Sequence, residues 1–275
     1  MQADGNQSTF SPLKNIPTIT SPHVALDPEP ASSERSYALG LIRTMLPGSL
    51  GMVGLNPMYL DNMPIVGKGI KTPRLCMYHQ GSIVPHLSSA HLLPDTNTAI
   101  VVLTNFMANN DAADWLGQLL LETVLDNPDK NDYVAIAKAS AAASVALWPA
   151  MAKELETRRE PNIPQQPLTN YEGQYYNIIG DWCIDVFFET DGILKMCFQR
   201  QRNESYSLDH YRPHEFSWLL TRDENVRRGK FPVVNLDFYI LTFRAPDVAG
   251  KMQQLVWRHD PDVPSGEIFY RRPHG

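Results

Sequence analysis

His79, His86 and His91 stand close together in the chain and could ligate a metal through their imidazole nitrogens. Their spacing is irregular and strand-like, and no cluster of carboxylates accompanies them, so the ligand set of a zinc or other metal site is not formed. Neither a metal nor a cofactor is expected. Asp111 and Asp114 have the look of an acid–base pair. They directly precede Trp115, Leu119, Leu120 and Val124, an apolar stripe at helical spacing, which makes them the cap and the first-turn acid of a helix. A Pro- and Gly-rich loop from Leu46 to Lys68 carries Asn56, Tyr59 and Asp61. Loops held on a rigid scaffold often carry specificity, so Asn56 and Tyr59 are candidates for binding a substrate. Cys76, Cys183 and Cys197 are widely spaced, each in an apolar strand-like run, and read as buried thiols rather than as a disulfide framework.

The elements that must hold these residues fall into an ordered series. Residues 1–35, rich in Pro, Ser, Thr and Asn, read as an extended arm. Tyr37-Ala38-Leu39-Gly40-Leu41-Ile42 reads as a strand, and three further strands are expected at Leu75–His79, Ser88–Leu93 and Ala99–Leu103. Pro94-Asp95-Thr96-Asn97 has turn chemistry at hairpin spacing. A helix is expected from Asp111, and an alanine-rich one from Tyr133 towards Arg158, kinked or split near Trp148 because Pro149 has no amide hydrogen. Pro161, Pro164 and Pro167 mark a stiff linker over 161–170. From Tyr171 the period changes to two, as in Trp182, Ile184, Val186 and Phe188 against Asp185 and Glu189. About eight short antiparallel strands then make a small barrel or sandwich over 171–275. Its aromatics, Trp182, Phe198, Trp218, Phe238 and Trp257, either fill it or line an apolar cavity.

The bulk properties bound the function. The chain has 275 residues, 43% of them hydrophobic and 20% charged, which fits two compact folded units. A net charge of −6, with basic runs no longer than Arg227-Arg228 and Arg271-Arg272, gives no footprint for nucleic acid. No apolar stretch looks long enough to span a bilayer, and Met1-Gln2-Ala3-Asp4-Gly5 opens without a basic or apolar leader, so a cytoplasmic setting is expected.

Tyr78-His79-Gln80-Gly81-Ser82, followed by a hairpin and Val101-Val102-Leu103-Thr104-Asn105, resembles the third motif of the β-lactamase and penicillin-binding-protein-like serine hydrolases. In that superfamily a Lys-Thr-Gly or His-x-Gly triplet lies on the strand that edges the active site. The resemblance implies that His79 polarises a carbonyl or carboxylate, that Gly81 leaves room for a backbone approach, and that an oxyanion-hole amide lies near Ser82. It implies substrate contacts for the neighbouring Tyr78 and Gln80. Tyr37-Ala38-Leu39-Gly40-Leu41 is similar to the strand that precedes the motif in esterase-like members, and residues from Tyr171-Glu172-Gly173-Gln174-Tyr175 through Phe216 resemble the lipocalin-like domain that trails such enzymes in fungi. The implied fold class is α+β: a partial β-lactamase-like antiparallel sheet with C-terminal helices over 36–160, then a small all-β lipocalin-like barrel.

The family's nucleophile and base motifs, Ser-x-x-Lys and Tyr-x-Asn, have no convincing match. Ser11-Pro12-Leu13-Lys14 lies in the arm with no apolar helix after it, and Tyr175-Tyr176-Asn177 opens the barrel. Acyl transfer needs a nucleophile, a base and an oxyanion site together, and the third alone is visible. The expected function is therefore a hydrolase unit for a small ester, amide or lactone, completed by a partner chain or a further copy of this one. The alternative is a non-hydrolytic pseudoenzyme, or a binding or cyclising protein with an apolar ligand cavity.

Overall fold

A computed structural model describes residues 14–27, 34–160, 166–189, 192–231 and 233–272. Ser11, with most of the expected arm, and 161–165 of the expected linker lie outside the described residues. The fold is α+β with antiparallel sheets. The chain divides into two compact units, Met1–Ala146 with Val226–Phe231, and Leu147–Asn225 with Pro232–Gly275.

In the first unit, helix α1 (Ile16–Thr20) precedes strands β1 (Val24–Ala25), β2 (Arg35–Tyr37), β3 (Ile42–Leu46), β4 (Gly48–Ser49), β5 (Ile65–Val66), β6 (Arg74–Ile83), β7 (His86–Leu93) and β8 (Thr98–Thr104). The main sheet has the order β1-β2-β3-β6-β7-β8, and β4 and β5 form a small ladder of their own. Strand β7 shows why one face is buried: Leu87, Ser89, His91 and Leu93 alternate with more accessible neighbours at the two-residue period of a strand. The β7–β8 turn forms where expected, with a 3-10 turn at Pro94–Thr96 and Asn97 in the left-handed region at φ 52°. Helix α2 (Ala112–Val124) starts after Asp111, whose carboxylate accepts the Asp114 amide as an N-cap. It covers the buried face over β7 and β8, and Leu121 and Leu125 join Ile42, Leu46, Cys76, Tyr78 and Ile100 in the core.

Within the expected extended arm, Ile16–Thr20 is helical and Val24–Ala25 pairs with β2, so part of that segment joins the sheet. Residues 37–42 are not one strand: β2 ends at Tyr37 and β3 begins at Ile42, and these two residues pair across a hairpin whose turn holds Gly40 at φ 86°. A glycine at positive φ is a turn residue, and it breaks the apolar run. Helix α3 (Tyr133–Arg158) runs unbroken through Pro149. Proline leaves the carbonyl four residues earlier without its donor; that residue is Val145, which is 51% exposed, so water can take the bond. The same helix is long and apolar enough to cross a membrane by length and composition alone, which the sequence reading had not anticipated.

In the second unit, β9 (Gly173–Tyr176), β10 (Cys183–Phe188), β11 (Leu194–Phe198), β12 (Tyr206–Ser207), β13 (Asp209–Arg212), β14 (Glu215–Ser217), β15 (Ile240–Pro246), β16 (Met252–Trp257) and β17 (Glu267–Arg272) form a nine-stranded sheet. Its order is β12-β11-β10-β9-β17-β16-β15-β14-β13. The two edge strands are separated by Leu208 alone, so the sheet curls until it is nearly closed, which shortens the exposed edges. Phe198 and Trp257 stack at 5.1 Å, and Tyr206 and Trp218 meet edge to face at 5.0 Å, so aromatic rings fill the interior. Asp185, expected on a polar outer face, is buried beneath Arg202, which pairs with it at 3.2 Å and lies over the Phe187 ring. All three cysteines are buried and free.

Candidate active site

Strand β6 has ladder neighbours on both sides at Met77 and Tyr78 and passes from one neighbour to the other there. Strand β3 pairs with it from Arg74 to Tyr78, whereas β7 continues from Met77 to Ile83. Among the described residues, 79–83 therefore have a ladder neighbour on one side only, and alternate amides of this stretch face away from β7. His79 and Gly81 share the face opposite α2, in rows with Ala90 and Val101 and with Ser88 and Leu103. The His79 Nε2 lies 3.3 Å from the Tyr37 hydroxyl, and its Nδ1 meets the Gln80 carbonyl. A Cβ on Gly81 would lie 2.5 Å from the Ser88 Oγ, so that hydroxyl would have to turn aside for any larger residue.

This face is only partly covered. At its far end α1 is tied down by Arg43, which donates to the Thr20 carbonyl at 2.6 Å. Around His79 the sheet is open, with Ile83 77% exposed, Val101 60% and Leu103 75%. Val101 and Leu103 are alternate positions of β8 and so point to the same face of the sheet.

The opposite face carries a buried polar cluster centred on Asp114. Its carboxylate accepts from Asn56 and Gln80, both at 2.9 Å, and from Gln118 at 3.1 Å. Asn56 also donates to the Asp111 carbonyl and accepts the Asp111 amide, which clamps the Pro-Gly loop to the start of α2. Burial raises the Asp114 carboxyl above its ordinary range, against the pull of the three amides. Burial also pushes Asp111 up to about 6, with the Asp114 charge adding to the effect and the Asp114 amide opposing it. Beside the cluster, His91 is fully buried, stacked on Tyr78, and driven down to about 4 by burial alone. Its Nδ1 lies 3.4 Å from Ser89 Oγ, but neither side chain reaches solvent, so this serine and histidine stand as core residues.

The structure thus brings His79 and Gly81 together on the open face, with Ser82 next along the same strand. It places Tyr78, Gln80 and Asn56 on the buried side, where their polar atoms face protein. Tyr59 ends the 3-10 turn Asn56–Met58 and is half-buried, with its amide donating to the Asn56 carbonyl. Tyr175 and Asn177 do structural work: the Tyr175 hydroxyl donates to the Tyr171 carbonyl at 2.7 Å, and Asn177 Oδ1 accepts three turn amides. Among the described residues no group of three or more His, Cys, Asp or Glu side chains could hold a metal. Tyr37 is the contact that sequence reasoning missed. It meets His79 because the hairpin at Gly40 folds β2 back beside β3, and no local spacing signals a contact across that turn.

No protein-family model matches the chain, and no curated protein does. Among solved structures, a crystal structure of SurE aligns with 86% of this chain and 37% of its own, at 15% identity and a TM-score of 0.26. SurE with D-Leu covers 95% of this chain and 44% of its own, at 14% identity and a TM-score of 0.26. The octameric penicillin-binding protein homologue from Pyrococcus abyssi covers 89% and 38%, again at 14% and 0.26. The chain spans less than half the length of each of these structures. At TM-scores this low, the functional assignment rests on the geometry of the site.

Proposed function

We propose that the first unit is the sheet half of a β-lactamase-like serine hydrolase site, acting on an ester, amide or lactone of a small molecule and completed by a partner polypeptide. The observation that carries the reading is the open face of β6, where His79 and Gly81 lie on the stretch that has a ladder neighbour on one side among the described residues. A substrate carbonyl laid along that stretch would meet backbone N–H groups as oxyanion donors and the His79 imidazole beside them. Among the described residues the polar neighbours of His79 are Tyr37 and the Gln80 carbonyl, so the serine, its lysine and the tyrosine base would come from the partner. The exposed Ile83, Val101 and Leu103 give that partner a surface to cover. The second unit would be the lipocalin-like accessory barrel, and the setting cytoplasmic.

A second reading is favoured by the same exposed apolar side chains: a pseudoenzyme or a binding or cyclising protein that holds an apolar substrate against the open face. A fluorophosphonate probe and size-exclusion chromatography separate the two. The split enzyme predicts a complex in which label appears on a partner's serine; a clean monomer that never yields label in mixtures supports the second reading. Label on a serine of this chain alone contradicts both.

A further inference from the structure

A cavity of about 710 Å³ opens in the second unit, and its size falls in the range of small-molecule sites. Tyr171, Leu194, Leu208 and Phe216 make an apolar floor, and His210 and His214 stand on its wall. His214 occupies the second corner of a two-residue hairpin turn between Arg212 and Glu215, after Pro213, with φ at 61°. That left-handed conformation favours glycine and disfavours a side chain with a Cβ. Histidine is among the non-glycine residues found most often in this conformation, and here it sets an imidazole on the cavity wall. The ring is held in place: the Tyr171 hydroxyl lies 2.8 Å from His214 Nδ1. With the phenol as donor, Nε2 carries the imidazole proton and can give it to a ligand; with the roles reversed, Nε2 accepts. Burial raises the Tyr171 phenol above its usual range, which keeps its proton on the oxygen. His210 packs edge-on against Phe216, and among the described residues neither of its ring nitrogens has a hydrogen-bond partner. The Asp209 carboxylate lies on the same wall and feels the Arg159 guanidinium, whose direct ion pair is with Glu156 at 2.8 Å.

We propose that this cavity binds a small molecule with an apolar body and a hydrogen-bond-accepting head, a carboxylate or a carbonyl. The body rests on the aromatic and aliphatic floor, and the head takes hydrogen bonds from His210 and His214. This site is independent of the one around His79.

Titration of the full chain with octanoate, methyl octanoate and octylammonium, followed by calorimetry and amide NMR shifts, tests it. Octanoate, alone or together with its ester, should bind saturably and at least about tenfold more tightly than octylammonium. His214→Gly should weaken octanoate at least about tenfold while the thermal midpoint holds or rises, because glycine removes the strain. Should that variant fail to fold, His210→Gln decides in its place by the same loss. Absence of saturable binding by octanoate and its ester, equal binding of octylammonium, or wild-type affinity in the folded variants would overturn the proposal.

Discussion

Asp114 is a buried carboxylate held by the amides of Asn56, Gln80 and Gln118 rather than by a cation. Replacing it with alanine strands three buried donors, each at the cost of an unmade hydrogen bond. Asp114→Ala should therefore lose about 3–5 kcal/mol in urea unfolding, far more than a surface substitution. Asp111 makes a pH-dependent prediction. Its folded pKa, about 6, lies above the usual value of 3.8, so its carboxyl favours folding when protonated; that contribution is whole below the unfolded pKa and fades as pH rises through about 6. Asn is an equally good N-cap but does not titrate. Relative to Asp111→Asn, the wild type should gain about 1 kcal/mol of stability between pH 7 and pH 5, read from urea midpoints at both. His91, lowered to about 4, contributes in the opposite sense, losing stability on acidification, but it is present in both proteins and cancels from the comparison.

Helix α2 meets the sheet through Gly117, where an added Cβ would fall 2.6 Å from His91 Cε1 and 2.8 Å from Ser89 Oγ. An exposed helical glycine would gain about 1 kcal/mol from Gly→Ala. Here overpacking against a fully buried ring dominates, and Gly117→Ala should destabilise by about 1–3 kcal/mol, seen as a lower thermal midpoint. The elements were legible from different signals: β6, β7 and β8 from strand-like apolar runs, α2 from its apolar stripe, α3 from its alanine content, and the barrel strands from alternation. The run from Tyr37 to Ile42 was not, because it has the same composition whether it is a strand or two strand ends around Gly40. Asp111 read correctly as a cap, yet the carboxylate cluster that it borders was invisible, since Asn56, Gln80 and Asp114 meet only through tertiary packing. That His79 lies on a strand was legible, whereas the half-edge of β6 depends on where β3 stops pairing.

At the scale of the molecule, the account turns on the sheet face that α1 leaves open. Val101 and Leu103 stand out into solvent there, so Val101→Glu with Leu103→Glu should leave the thermal midpoint within about 2 °C of wild type. The same pair should abolish a partner-dependent complex on size-exclusion chromatography, because burying two carboxylates in an apolar interface is costly. The most direct measurement is the rate of fluorophosphonate labelling in a mixture of this chain with the proposed partner, using wild type, His79→Ala and Gly81→Val in parallel. The account predicts label on the partner's serine, at a rate at least about tenfold lower with either variant while both still bind the partner. Labelling at the wild-type rate with both variants would contradict it.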